Sequence, residues 1–197
     1  MLRIACIALS VLSAAACRSK PVYLNRDVRT VAVLPPFNHD LDIEASRKMR
    51  HHVEHAVGAH GYAVHSPAAV DDLYRRKNFT LPEEISQYRA SEVAKDLGAD
   101  AILTTDIERW GSRMELLGSS VGIEATFTLY DGKTDEVLWK AEGSGVEHRT
   151  VLDVESGIEA AAALVFENAE AYCSKCCNDG FRTLPLAGYD PEHKPAP

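Results

Sequence analysis

The rhythm of apolar and polar positions changes several times along this chain, and each rhythm predicts an element. Thr30-Val31-Ala32-Val33-Leu34 is a short apolar run stopped by Pro35-Pro36, the pattern of a strand buried on both faces. From about Ile43 to Ala59, the residues Ala45, Met49, Val53, Ala56 and Val57 fall on one helical face. Asp42 is a candidate N-cap for that helix, and Gly61 lies just past its end. Tyr62-Ala63-Val64 reads as a second short strand. Pro67 opens a small helix over Ala68–Arg75, Lys77–Pro82 forms a loop, and a further helix is predicted from about Glu84 to Leu97, stopped by Gly98.

Ala101–Trp110 then reads as a strand. Val121, Ile123, Ala125, Phe127 and Leu129 alternate with Gly122, Glu124, Thr126, Thr128 and Tyr130, which predicts a strand with one buried and one wet face. Asp131-Gly132-Lys133-Thr134-Asp135 turns into Val137-Leu138-Trp139, completing a hairpin. Val154, Ile158, Ala161, Val165, Ala169 and Tyr172 form the apolar stripe of a terminal helix, and beyond Gly180 the proline-containing tail reads as irregular. This order predicts an α/β fold: a single domain with a mixed sheet and a C-terminal helix. The first strands are parallel with helical crossovers, and the later ones form an antiparallel meander. Trp110 and Trp139, aromatic residues on strands, are expected in the core.

A hydrophobic fraction of 46% and a charged fraction of 25% are ordinary for a globular protein. The net charge of −8 changes the picture, because an acidic domain repels phosphate backbones and gains nothing from anionic lipid headgroups. Nucleic acid is therefore excluded as an expected partner, and any membrane attachment needs another source.

The first residues supply one. A positive charge at Arg3, the apolar run Ile4–Leu12 and the small residues Ser13-Ala14-Ala15-Ala16 follow the order of a secretory signal peptide, expected over residues 1–16. The run falls far short of the roughly 20 residues a spanning helix needs. Ala14-Ala15-Ala16 also suits ordinary cleavage, but Cys17 follows at once, and Ala14-Ala15-Ala16-Cys17 resembles the lipobox of bacterial lipoproteins, with Ala14 where that motif usually has Leu. The resemblance implies lipidation of Cys17, and each buried methylene of an acyl chain contributes about 0.8 kcal/mol to anchoring. Arg18 stands where inner-membrane retention is associated with Asp, so the same resemblance implies the outer membrane, with the domain facing the periplasm. The connector at 17–27 reaches roughly 35 Å at most, which keeps the domain and its partners close to the membrane.

Three further cysteines, Cys173, Cys176 and Cys177, cluster near the end of the expected domain at 28–177, ahead of a tail at 178–197. In an oxidising compartment one local disulfide among them is expected. A metal site at Cys173-x-x-Cys176-Cys177 lacks a second ligand pair at zinc spacing, and no cofactor is expected. A redox element at this cluster is a further reading.

Two motifs point to catalysis. His51-His52-Val53-Glu54-His55 matches H-x-x-E-H, which sets two imidazoles one helical turn apart with a carboxylate as base. Counted at 100° per residue, however, His51 and His55 point away from the apolar face, beside Lys48 and Glu44. Gly118-Ser119-Ser120-Val121-Gly122 matches G-x-S-x-G, with Asp131 and His148 following in hydrolase order. A nucleophile elbow needs a helix after the serine, and here strand alternation follows instead.

Three segments, Val28-Arg29-Thr30-Val31-Ala32-Val33-Leu34-Pro35-Pro36, Leu97-Gly98-Ala99-Asp100-Ala101-Ile102-Leu103 and Leu129–Trp139, resemble a family of bacterial lipoproteins of unknown function. Leu186-Ala187-Gly188-Tyr189-Asp190-Pro191 is similar to that family as well, and where the family usually has Gly after Thr134 this chain has Asp135. The pieces also resemble, more loosely, the amino-terminal domain of TolB and the periplasmic domains of curli-secretion lipoproteins. The resemblance implies a non-enzymatic binding or assembly accessory in envelope secretion or transport, beside other envelope lipoproteins including a curli-pore-like partner. The alternative is a periplasmic hydrolase or zinc enzyme using Ser120 or His51, Glu54 and His55.

Overall fold

A computed structural model describes residues 28–38, 43–115, 118–150 and 158–187, with only the backbone for 43, 112–115, 118–119, 149–150 and 158–168. The expected signal segment, Cys17, the connector, Asp42 and the tail from 188 onward lie outside these residues.

The elements run β1 (Thr30–Val33), β2 (Phe37–Asn38), α1 (Ile43–Ala59), β3 (Ala63–Val64), α2 (Pro67–Arg76), α3 (Ala90–Leu97), β4 (Ala101–Glu115), β5 (Gly118–Asp131), β6 (Val137–Thr150) and α4 (Ile158–Gly180). Short 3-10 turns occupy Pro82–Gln87 and Phe181–Thr183. The sheet order is β3-β1-β4-β5-β6, with β2 also paired to β4. Pairing is parallel from β3 to β4 and antiparallel from β4 to β6, so this is the mixed sheet the element order predicted.

β1 is buried on both faces, as its unbroken apolar run required. Val31 and Val33 join the core shared with α1 and α4, whereas Ala32 and Leu34 join the smaller core under α2 and α3. Trp110 and Trp139 lie in the larger core, and the Trp139 indole N–H donates to Thr183 Oγ1 at 3.1 Å. Ala169 and Tyr172, from the predicted terminal stripe, are buried there too.

The predicted helix from Glu84 to Leu97 is in fact broken. Pro82–Gln87 is a 3-10 turn, Tyr88 and Arg89 are extended, and α3 begins only at Ala90. Carboxylates drive the break. Glu84 reaches back to the Leu81 N–H at 2.8 Å, while Glu92 accepts from the Arg89 N–H at 3.3 Å, so two successive starts are each capped by their own acid. The first cap holds the Glu84 carboxyl below its ordinary pKa, chiefly through the backbone donors of Leu81 and Thr80.

The segments that carry the family resemblance meet at one end of the sheet. Asp100 Oδ2 accepts from Thr30 N and Thr30 Oγ1, each at 2.8 Å, and from Arg29 N at 3.1 Å. Burial pushes this carboxyl up, but the donors of Thr30 and Arg29 outweigh it and the net shift is downward. Gly132 N donates to Asp100 O at 2.8 Å, and a side chain at Gly132 would strike that oxygen and the Ala94 methyl. In the same turn Asp131 Oδ1 accepts from Lys133 N and Thr134 N, both at 2.8 Å. Asp135, in place of the family's usual Gly, adopts φ +63, a left-handed conformation that Asp tolerates better than most residues.

β6 is the long edge strand, and α4 leans against it backbone to backbone. Gly143 and Gly145 make that approach feasible, because a methyl on either would collide with α4 carbonyls, those of Cys176 and Tyr172. Two α4 side chains also reach the outer rim of β6: Ser144 N donates to Asp179 Oδ2 at 3.3 Å, and Lys175 Nζ donates to Val146 O at 3.2 Å.

Candidate binding groove

The candidate catalytic sets do not assemble. Ser120 is fully buried on β5, where Arg109 donates to its Oγ at 2.6 Å, and strand rather than helix follows it. Its register partner is His148, but Asp131 sits at the far end of the same strand, roughly 36 Å away at 3.3 Å per residue. On α1, His51 and His55 are exposed, while Glu54 is half-buried and ion-paired with Arg50 at 3.0 Å. Burial raises the Glu54 pKa, and the Arg50 guanidinium opposes the rise. The remaining histidine of that run, His52, ties α1 to α4 through Glu170 at 2.6 Å. Among the described residues no three His, Cys, Asp or Glu side chains group to hold a metal.

Cys173, Cys176 and Cys177 are buried free thiols in this structure, without the local disulfide expected among them. Cys176 Sγ donates to Gly143 O at 3.2 Å, whereas Cys177 Sγ packs 3.8 Å from Met49 Sδ of α1, so these neighbours point into different contacts. Burial pushes the Cys173 and Cys176 thiols up to about 12, and Cys177 upward as well, which keeps all three protonated and poorly reactive. Cys177 also borders a cavity of about 250 Å³ beside His52, His55 and His60.

On the opposite face of the sheet lies a groove of about 480 Å³, within the usual size of ligand sites. Its floor is Leu34 from the end of β1 with Ile102 and Thr104 from β4. Ile85 and Tyr88 of the broken segment, with Ala90 and Val93 of α3, make one wall. Phe37 lines it as well, and Tyr130 and Asp135 bring in the β5–β6 hairpin. The broken segment thus contributes residues to the groove from both the 3-10 turn and α3, with the extended Tyr88 and Arg89 between them.

Local chemistry fixes the walls. Asp135 accepts from Ser91 N at 2.7 Å and from Ser91 Oγ at 3.0 Å, binding the hairpin turn to the first turn of α3. Tyr88 is steadied by Phe79, with ring centroids 5.6 Å apart, and by Lys77 Nζ, 4.3 Å from its ring. Arg89, which also lines the groove, is exposed, and its guanidinium makes no ion pair among the described residues. Leu81, Tyr88 and Val137 are 59%, 36% and 54% exposed. Of these, Tyr88 lines the groove itself, while Leu81 precedes the turn that carries Ile85 and Val137 pairs with Tyr130. Sequence reading missed this site; its one hint was Glu92, an acid of the type that favours a helix's first turn, inside the predicted helix.

Known proteins resemble this chain as follows. A relative described as "Putative lipoprotein NMB1124/NMB1162", from Neisseria meningitidis serogroup B, is 23% identical over 115 residues, covering 58% of this chain and 54% of its own length. The chain thus spans about half of that relative. The crystal structure of lipoprotein GNA1162 from Neisseria meningitidis superposes with a TM-score of 0.55 at 22% identity, covering 73% of this chain and 96% of that one, and shows the shared fold. The PelC dodecamer from Paraburkholderia phytofirmans is more distant, with a TM-score of 0.44 at 18% identity over 77% of this chain and 87% of its own. The model of the family described as "Putative lipoprotein GNA1162-like" matches residues 21–171, and this chain belongs to that lipoprotein family.

Proposed function

We propose that this protein is an outer-membrane-anchored periplasmic lipoprotein, lipidated on Cys17, that serves as a non-enzymatic binding or assembly accessory in envelope secretion or transport. Its family membership supports an envelope-associated lipoprotein. Residues 1–16 would be the signal and 17–27 the lipidated connector, followed by the domain at 28–177 and the tail at 178–197. Other envelope lipoproteins, a curli-pore-like protein among them, would be its partners.

One observation carries the binding role. The groove beside α3 joins an apolar lining and the exposed Tyr88 to an uncommitted cation, whereas Ser120 is buried against Arg109, Glu54 is paired with Arg50, and His51 and His55 are exposed on α1. Surfaces of that character mark interaction sites in monomers.

Crosslinking in the native envelope, followed by mass spectrometry, tests both halves of the proposal. An acylated Cys17 peptide and neighbouring envelope proteins are expected. A free amine at residue 17 on a freely diffusing protein would overturn the anchor, and recovery of this protein alone would overturn the accessory role. Stoichiometric zinc in purified protein, or turnover lost in Ser120→Ala or His51→Ala, would favour an enzyme instead.

A further inference from the structure

We infer that the groove beside α3 receives an extended segment of a partner protein, seating an aromatic or leucine side chain in the socket with an Asp or Glu next to it on Arg89. This rests on the accessory reading above and gives it a site.

The socket has the chemistry of a side-chain receptor. Its walls and floor are Leu34, Phe37, Ile85, Val93 and Ile102, and its 480 Å³ accommodates a large side chain with adjoining backbone. Aromatic rings stand at its edge, and anchors of that kind dominate the energetics of protein interfaces. Its lining holds one carboxylate and one guanidinium, and they differ in what already occupies them. Asp135 is the groove's own carboxylate, and both of its oxygens already accept from Ser91. Arg89 is a cation with no ionic partner among the described residues, and a guanidinium is suited to bidentate pairing with a carboxylate. Complementarity therefore favours an apolar side chain flanked by an acid. At the floor Thr104 adds a short polar side chain beside which an extended backbone can lie.

The test places a benzoylphenylalanine crosslinker at Tyr88 of the full-length chain in its native envelope and sequences the joined peptides by mass spectrometry. A second crosslinker at His51, exposed on α1 in the opposite helical layer, serves as reference. A recurring peptide from another protein is expected at position 88, with an aromatic residue or Leu within two positions of Asp or Glu. Its yield should fall roughly fivefold with Arg89→Gln and recover only in part with Arg89→Lys, which restores the charge without the guanidinium's fork. Ala90→Trp should abolish it by filling the socket, and Ser86→Trp, placed from an exposed lining position, covers the case in which the first variant does not fold.

Peptides of this chain itself, lipid acyl adducts, scattered peptides indifferent to Ala90→Trp and Ser86→Trp, or silence at position 88 would each overturn the inference. Should position 51 capture partner proteins while 88 does not, the accessory reading stands and the groove falls. Silence at both positions sinks the two together.

Discussion

Adding one carbon at Gly143 should separate α4 from the sheet. A methyl there would lie 2.9 Å from Phe127 Cε2, 3.1 Å from Gly180 N and closer still to the Cys176 carbonyl oxygen. Two of these are backbone atoms of α4, which cannot rotate aside as a side chain would. Ordinary contact begins near 3.4 Å, so relief requires α4 to move by roughly 1 Å, enough to forfeit a quarter or more of the dispersion along that seam. Overpacking of this kind costs about 1–3 kcal/mol, and the rigid neighbours place Gly143→Ala near the upper end. For a domain of this size such a loss lowers Tm by roughly 6–12 °C. Urea melts followed by circular dichroism measure it. The three α4 thiols offer a second readout, since a displaced helix exposes Cys176 to a thiol reagent that the native protein excludes. A Gly143→Ala protein within about 0.5 kcal/mol of the parent, its thiols still protected, would show that the seam is not a tight backbone contact.

Three other outcomes follow from the same geometry. Asp100→Asn weakens the hydrogen bonds from Thr30 and Arg29 and should cost about 1–2 kcal/mol in a neutral-pH melt. Because the native Asp100 pKa is depressed, its contribution is fully present above the ordinary value of 3.8 and is lost as pH falls through the lowered one. The parent should therefore lose more stability on acidification than Asp100→Asn does, and equal acid slopes would refute the assignment. Asp135→Ala removes both Ser91 contacts and strains a left-handed residue, so a loss of about 2 kcal/mol is expected. Asp135→Gly, which relieves the strain, should lose less, and the reverse order in thermal melts would refute this account. Thiol titration in denaturant without reductant should find Cys173, Cys176 and Cys177 all free, and in native buffer none of them reactive. A shortfall of two would mean that an α4 disulfide forms after all.

Much of this architecture could be read from residue order, and what escaped did so for definite reasons. α1 spans Ile43–Ala59 as its periodicity predicted, because five apolar residues on one face and a following glycine leave little choice. The double burial of β1 was equally plain from an apolar run with no polar interruption. The break at Tyr88–Arg89 escaped because Ala90, Val93, Ala94 and Leu97 keep helical spacing after it, and no proline or glycine between Glu84 and Leu97 marks a stop. Two acid caps, not the apolar pattern, decide that the chain starts again. β6 runs well past Trp139 because Gly143 and Gly145, poor strand formers, are required by an α4 backbone that is distant in sequence. The groove draws on β1, β4, α3 and the hairpin, so no local window of sequence contains it. Its carboxylate, Asp135, stood out only as a departure from the family's glycine.

The side chains of Asp179 and Lys175 along β6 have a consequence for crowding. Molecules held at high density meet each other often, and a naked 14-residue ribbon margin would let them knit into fibres. By occupying Ser144 N and Val146 O from within, those two side chains spoil the register a visiting strand would need. Copies of this domain can then stay separate at high density.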